Sequence, residues 1–148
     1  GLYGVVEFRG RAVGVVALFD DDTVLLVSQY RYTLGQVSLE LPEGGAKPDE
    51  DLAETALREL EEETGFRAGK IEHLLNLHTS NSVTTESGAL FLATELSEGV
   101  QQLEPTEDIT VIRMHLSDAV DKIFSGEITD SLTVMGLLAA ERKRRLAD

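Results

Sequence analysis

The sequence has no cysteine and no tryptophan, and it has only three prolines among 148 residues. Without cysteine, the chain cannot form a disulfide, a thiolate metal site or a cysteine nucleophile. No apolar run approaches the roughly 18 residues that span a membrane, and the first residues lack the pattern of a signal peptide. We therefore expect a cytoplasmic protein. The chain begins at Gly1 rather than Met, which hints that its natural start was trimmed.

Basic residues are scarce as well. Thirteen lysines and arginines stand against 27 acidic residues, which gives a net charge of −14. A protein that follows nucleic acid needs a basic surface along the phosphates, so the composition argues against general nucleic-acid binding. A small phosphorylated substrate remains compatible with this charge, because bound cations reverse the local sign of the electric field.

The apolar content, 42%, is that of an ordinary globular protein, and no repeat, low-complexity tract or linker divides the chain. We expect a single domain over residues 1–148. The hydrophobic patterns predict strands at residues 2–8, 12–19, 23–30, 37–41, 71–77, 89–96 and 109–115. They predict helices at about 51–64, 117–124 and 131–146. Gly44 and Gly45 predict a tight loop before the first helix.

The first predicted helix carries an acidic cluster. Glu59, Glu62 and Glu63 stand three and four residues apart, so one helical turn presents all three carboxylates. Like charges so close repel one another, and a divalent cation such as Mg²⁺ or Mn²⁺ relieves that repulsion. The cluster lies about 90° round from the apolar stripe of the helix, where it could border a cleft. The cluster suggests metal-assisted chemistry on a phosphate.

The cluster is part of a longer motif, which occupies residues 44–66 and reads GGAKPDEDLAETALRELEEETGF. In order and spacing it contains every specified residue of a Nudix box, G-x5-E-x7-R-E-aliphatic-x-E-E-x-G-apolar. The chain therefore resembles Nudix hydrolases, and the likeness extends over about residues 13–140. The resemblance implies an α/β fold, an α/β/α sandwich with a mixed β-sheet between the box helix and a C-terminal helix. It also implies hydrolysis of a pyrophosphate bond with Mg²⁺, or alternatively Mn²⁺, as the cofactor.

The resemblance assigns the metal ligands. It implies Glu59 and Glu63 as principal ligands, with Glu62 close by as a ligand or a catalytic neighbour. The backbone carbonyl of Glu43, just before the box, is a further ligand position in similar enzymes. Two or three cations at such a site screen the anionic phosphate oxygens and activate a water molecule.

Further residues are expected to act around the metal. Arg58 stands among the carboxylates and orients one of them, whereas Glu50 is expected to hold the loop and the start of the helix. A carboxylate outside the helix usually completes such a site and takes the proton of the attacking water. In the ADP-ribose pyrophosphatase branch, which this chain resembles most, Glu107 matches the ligand or base position best. Glu104 is a second candidate, and the choice between the two stays open.

The substrate is indicated by residues outside the box. Arg31 follows a strand that resembles the same branch, and it is a candidate phosphate contact. Ser80, Asn81 and Glu86 belong to a polar run that either contacts a sugar or forms a simple turn. This run lacks the Pro that enzymes dedicated to ADP-ribose commonly have there. It resembles the corresponding run of bacterial relatives that act on several nucleoside diphosphate sugars.

We therefore expect a hydrolase that cleaves nucleoside diphosphate sugars to a nucleoside monophosphate and a sugar phosphate. The first alternative is an ADP-ribose-specific pyrophosphatase. An alternative of another class is a non-catalytic nucleotide-sugar sensor on the same fold. Close family members are dimers whose N-terminal strands cross to the partner, so a homodimer with residues 2–8 at the interface is expected. Nucleic acid and membrane are not expected as partners.

Overall fold

The computed structural model describes residues 1–106 and 108–147. Along these residues the elements are β1 (Arg11–Ala17), β2 (Thr23–Arg31), β3 (Gln36–Glu40), β4 (Glu43–Ala46), α1 (Leu52–Thr64), β5 (Phe66–His78), β6 (Ser87–Glu98), β7 (Thr110–His115), α2 (Leu116–Phe124) and α3 (Ser131–Ala147). The three predicted helices and the strands from residue 12 onwards are confirmed, with shifted ends. In the part of the chain that the structure describes, no helix is both long and apolar enough to cross a membrane.

The strands form two sheets. One has the order β4-β1-β6-β5, in which β1 and β6 run parallel and the other pairs are antiparallel. The other is antiparallel with the order β3-β2-β7. The mixed sheet of the sequence prediction is thus confirmed, and a second sheet accompanies it. The chain passes from one sheet to the other between β3 and β4, at residues 41 and 42.

Strand β1 is buried on both of its faces, which explains its almost uniformly apolar sequence. Val13 and Val15 belong to a core cluster that also contains Ala56 and Leu60 of α1. Val16, whose side chain points to the opposite face, belongs to a second cluster formed with α2 and α3. Helices α1 and α3 therefore cover opposite faces of the mixed sheet. This is the α/β/α sandwich that the sequence predicts.

Two predictions of local structure are wrong. Residues 2–8 do not form a strand, because only Val6 pairs with a neighbouring segment, in an isolated parallel bridge to Thr84. The glycines at 44 and 45 do not form a tight loop but lie in β4, which pairs with β1. Glycine is usually depleted in strands, and at Gly44 the Glu59 side chain of α1 occupies the space that a Cβ atom would take.

Candidate active site

Helix α1 holds the acidic cluster in a fixed position because both of its ends are capped. The Asp51 side chain accepts hydrogen bonds from the backbone N–H groups of Ala53 (2.9 Å) and Glu54 (3.1 Å). Gly65 ends the helix with a φ of 75°, a left-handed conformation that suits glycine, and its N–H donates to the Glu61 carbonyl. Aspartate and glycine are typical of these two positions, so both caps follow from the local sequence.

Arg58 ties the acidic side chains together. Its Nη1 donates to Glu59 Oε1 at 2.7 Å and to Glu62 Oε2 at 3.0 Å, while its Nε donates to Glu50 Oε1 at 3.3 Å. The other oxygen of Glu50 accepts the N–H of Lys47 at 2.8 Å. Arg58 therefore orients two of the carboxylates, and Glu50 fixes the loop that enters the helix. These contacts agree with the roles expected for both residues.

Strand β4 presents the backbone of Glu43 to the helix. Glu43 lies opposite Gly14 of β1, and the bond from the Val15 N–H to the Pro42 carbonyl (3.0 Å) identifies this as a non-hydrogen-bonded pair. The N–H and the carbonyl of Glu43 therefore both point away from β1, across the free edge of the sheet. The N–H donates to Glu63 Oε2 at 3.1 Å, so the carbonyl faces the side on which α1 lies.

Gly44 leaves room for the Glu59 side chain of α1 to lie against β4. A Cβ atom at this position would lie 2.2 Å from Glu59 Cδ and 2.3 Å from Glu59 Oε1. At the adjacent Gly45, a Cβ atom would meet nothing within 4 Å. A side chain at position 44 would therefore displace the Glu59 carboxylate, a candidate metal ligand, from its observed place.

A cavity of about 300 Å³ lies between β4 and α1. Its lining comprises Glu43, Gly44, Gly45, Lys47, Arg58, Glu59, Glu62, Glu63 and Glu104. Glu104 reaches the cavity from the segment after β6, so one of the two candidate bases lies here. Glu107, the other candidate, lies outside the described residues. Carboxylates and a backbone carbonyl are the oxygen donors that Mg²⁺ and Mn²⁺ prefer, so the residues around this cavity are chemically suited to a divalent cation.

A second cavity, of about 530 Å³, adjoins the first and shares the β4 wall of Glu43, Gly44 and Gly45 with it. The rest of its lining is Phe8, Gly10, Arg11, Ala12, Arg31, Thr79, Glu86, Asp130, Ser131 and Leu132. Two of the predicted substrate contacts, Arg31 and Glu86, therefore lie in one cavity.

The other two predicted substrate contacts, Ser80 and Asn81, line neither of these cavities. The Ser80 carbonyl accepts the N–H groups of Val83 (3.2 Å) and Thr84 (2.9 Å), which closes a turn. Glu86 accepts the hydroxyl of Thr79 at 2.5 Å, across the base of the same segment. The turn interpretation of the polar run therefore describes Ser80 and Asn81, whereas Glu86 reaches the cavity.

Arg31 donates hydrogen bonds to two carboxylates. Its Nε donates to both oxygens of Glu40 (3.0 and 3.1 Å), its Nη2 also contacts Glu40, and Nη2 lies 3.2 Å from Glu43 Oε1. Glu40 is 2% exposed, so Arg31 supplies the charge that allows this carboxylate to be buried. The side chain of Arg31 remains 36% exposed, which leaves it accessible to an anion.

Three carboxyl groups, including that of Glu40, lie close together beside Arg31. Oxygen atoms of Glu40, Glu43 and Asp130 lie within 4.8 Å of one another, a spacing that a cation could bridge. Burial raises the pKa of the Glu43 carboxyl well above its usual value, and the negative charges of Asp130 and Glu40 raise it further. Arg31 acts in the opposite direction. The Oε2 atom of Glu43 is buried and has no hydrogen-bond partner among the described residues.

Comparison with known proteins decides the family. The model of the NUDIX domain matches residues 8–132 of the chain. The chain belongs to the Nudix family. It is 35% identical over 144 residues to an ADP-ribose pyrophosphatase of Bacillus subtilis, which covers 96% of this chain and 77% of that protein. It is also 35% identical over 126 residues to a GDP-mannose pyrophosphatase of Escherichia coli, covering 76% and 63% of the two proteins.

The structural comparison agrees on the fold. A crystal structure described as ADP compounds hydrolase matches with a TM-score of 0.86 at 23% sequence identity, over 95% of this chain and 76% of that one. At this identity the match concerns the fold alone. The family and the relatives together identify the chain as a Nudix pyrophosphohydrolase.

Two residues of this Nudix site were missed from the sequence. Glu40 lies in a short alternating strand, where a charged residue is usually expected at the surface. Asp130 precedes Ser131 at the start of a helix and has the appearance of a helix cap only. The sequence gives no sign that the fold brings both to Arg31 and Glu43. The box residues, in contrast, were all recognisable because they lie within one continuous motif.

Proposed function

We propose that this Nudix enzyme hydrolyses the pyrophosphate bond of nucleoside diphosphate sugars with the help of Mg²⁺ or Mn²⁺. The products are a nucleoside monophosphate and a sugar phosphate. The supporting observation is the wall that two cavities share, since Glu43, Gly44 and Gly45 line both the carboxylate-rich cavity and the larger one. A diphosphate that crosses this wall has phosphate beside the carboxylates and part of its organic portion in the larger cavity.

In this proposal Glu59, Glu62, Glu63, Glu107 and the Glu43 carbonyl hold the cation. A bound divalent cation screens the phosphate oxygens and acidifies a water molecule. Arg58 keeps Glu59 and Glu62 turned towards the cavity through its two Nη1 hydrogen bonds. The proton of the attacking water passes to the carboxylate of Glu107 or of Glu104.

The larger cavity accommodates the organic part of the substrate in this proposal. Arg31 offers a guanidinium to a phosphate oxygen, and Glu86 offers a carboxylate to sugar hydroxyls. Ser80 and Asn81 line neither cavity, and their contact with a sugar stays a prediction from the sequence. The ADP-ribose and GDP-mannose pyrophosphatases to which the chain is similar differ in base and sugar, as their names state. This difference favours the class of nucleoside diphosphate sugars over any one member.

A substrate panel tests the proposal. The enzyme is incubated with ADP-ribose, GDP-mannose, ADP-glucose and UDP-glucose, each with Mg²⁺ and with Mn²⁺, and the products are separated by chromatography. We expect a nucleoside monophosphate and a sugar phosphate from more than one substrate. Cleavage of ADP-ribose alone would instead favour the ADP-ribose-specific alternative. Binding without cleavage of any substrate would refute the hydrolase and favour the sensor.

The metal assignment is tested at Glu63, which is 3% exposed. In Glu63→Gln the amide oxygen can still accept the Glu43 N–H, but the charge that attracts a cation is lost. We expect kcat with Mg²⁺ to fall about 100-fold, while the circular dichroism spectrum stays unchanged. Glu61→Gln is the matched control, because Glu61 lies on the same helix and pairs with Arg67 on the surface. Equal activity of both variants would refute the assignment of Glu63.

We further propose a homodimer. Leu2, Tyr3, Val5 and Val6 expose more than half of their surface, which suits burial against a second chain. Light scattering of the purified protein gives the mass directly, and a monomer at micromolar concentration would refute this part. A cytoplasmic location stays a prediction from the sequence.

A further inference from the structure

The passage between the two sheets, at Leu41 and Pro42, needs a hydrogen-bond partner from outside the sheets. Leu41 is fully buried and lies beyond the end of β3, so its N–H has left the strand ladder. A buried N–H without a partner is costly. The partner is the hydroxyl of Thr133 in α3, which accepts this N–H at 2.9 Å from 92 residues further along the chain.

The Thr133 hydroxyl is itself fixed from the other side. It donates to Asp130 Oδ2 at 2.7 Å, and the same oxygen accepts the Thr133 backbone N–H at 2.9 Å. Asp130 thus caps the start of α3. Thr133 is fully buried, so water does not compete for its hydroxyl. The hydroxyl connects the capped end of α3 to the passage between the sheets.

Close packing reinforces this connection. A Cβ atom at Gly136 would lie 2.6 Å from Leu41 Cδ1 and 3.2 Å from Val16 Cγ2. The absence of a side chain at Gly136 therefore lets α3 lie directly against Leu41. The passage has little freedom of its own, because the ring of Pro42 fixes one backbone dihedral between Leu41 and Glu43.

We propose that Thr133 is a positioning residue for the metal site, which sets the place of the Glu43 carbonyl through Leu41 and Pro42. This inference rests on the proposed metal-dependent function. The carbonyl faces α1 only while residues 41–43 keep their place, and three bonds hold them there. These are the bonds from Leu41 to Thr133, from Val15 to Pro42 and from Glu43 to Glu63. The second bond is made with β1 and the third with the box helix, whereas the first is made with α3.

The test removes the hydroxyl without changing the volume of the side chain. In Thr133→Val the Leu41 N–H loses its acceptor, whereas Thr133→Ser keeps it. The matched control is Thr23→Val. The Thr23 hydroxyl also accepts one hydrogen bond, from Arg113 (2.7 Å), and donates one to an aspartate, Asp21 (2.6 Å), but it lies at the start of β2 and lines neither cavity of the site.

The readout is binding of Mn²⁺ alone, followed by electron paramagnetic resonance, with thermal unfolding measured in parallel. We expect Thr133→Val to weaken Mn²⁺ binding about tenfold. The serine variant should bind within about threefold of wild type, and Thr23→Val should bind as wild type does. Where the valine variant does not fold, Thr133→Ala replaces it in the same comparison.

Two results would overturn the inference while leaving the proposed function intact. One is wild-type Mn²⁺ affinity in a folded Thr133→Val. The other is an equal loss of affinity in Thr133→Val and Thr23→Val. Such a loss would come from lower stability of the whole protein and not from the particular place of Thr133. If wild-type enzyme neither binds Mn²⁺ nor cleaves any substrate of the panel, the proposed function fails and this inference fails with it.

Discussion

Replacing Gly44 by alanine is predicted to damage the metal site while leaving the fold intact. The added Cβ atom would lie 2.2 Å from Cδ of Glu59 and 2.6 Å from its Oε2. Ordinary contact between such atoms begins near 3.4 Å, so the Glu59 carboxyl group must retreat by about 1.2 Å. The backbone of Gly44 has no positive φ, so this collision is the principal consequence of the substitution.

The displaced carboxylate cannot retreat freely. Its Oε1 accepts a hydrogen bond of 2.7 Å from Arg58, and the side chain is only 13% exposed. A movement of about 1 Å in a ligand is enough to lower catalysis by about 100-fold. We therefore expect Gly44→Ala to weaken Mn²⁺ binding by at least tenfold and to lower kcat by about 100-fold.

The adjacent glycine provides the control. A Cβ atom at Gly45 meets nothing within 4 Å, so Gly45→Ala is expected to bind Mn²⁺ and turn over substrate as wild type does. Both variants are compared by Mn²⁺ titration, steady-state kinetics and circular dichroism. Wild-type Mn²⁺ affinity in Gly44→Ala, or the same loss in both variants, would refute the reasoning from close approach.

Two further predictions concern stability. Gly65→Ala forces a non-glycine residue to a φ of 75° and brings its Cβ atom to 3.0 Å from the Gln101 nitrogen. Urea unfolding is expected to show that the free energy of unfolding falls by about 1–2 kcal/mol. An unchanged midpoint would contradict the role of Gly65 as the C-cap. Glu43→Gln is expected to gain stability over wild type as the pH rises. The folded state raises the pKa of Glu43 above its ordinary value of 4.5, so wild type loses stability as this group ionises, whereas glutamine stays neutral. Urea unfolding in metal-free buffer between pH 4 and 8 measures the difference in the free energy of unfolding between variant and wild type. A difference that does not change with pH would contradict the raised pKa of Glu43.

The sequence predicts the elements of this fold well where hydrophobic patterns are long. The box helix and its C-cap at Gly65 follow from local chemistry, because periodicity and caps act within a few residues. Residues 2–8 show the limit of such patterns. Their alternating apolar residues suggest a strand, but a strand also needs a neighbour, and the structure provides one bridge at Val6. Strand β4 shows the opposite case. Its two glycines do not suggest a strand, yet the segment is one because it pairs with β1.

The candidate site divides in the same way. Glu59, Glu62 and Glu63 are adjacent on one helix, so their proximity is a local property. The sequence predicts Arg31 as a candidate phosphate contact, but it could not show that Glu40 and Glu43 bind this side chain. Such contacts depend on the passage between two sheets and on the start of a helix about 90 residues later. No local pattern encodes these distances, and Thr133 illustrates the point most clearly.

The charge of the chain gives the cation a second role in this proposal. A nucleoside diphosphate sugar is an anion, and it must approach a protein of net charge −14 whose cavities contain several carboxylates. Arg31 compensates only in part, because the buried Glu40 already pairs with it, and Arg58 is shared among three glutamates. The repulsion must therefore be removed before chemistry begins. In the proposed site a divalent cation at the box carboxylates would remove this repulsion, and it would thereby contribute to substrate binding as well as to turnover.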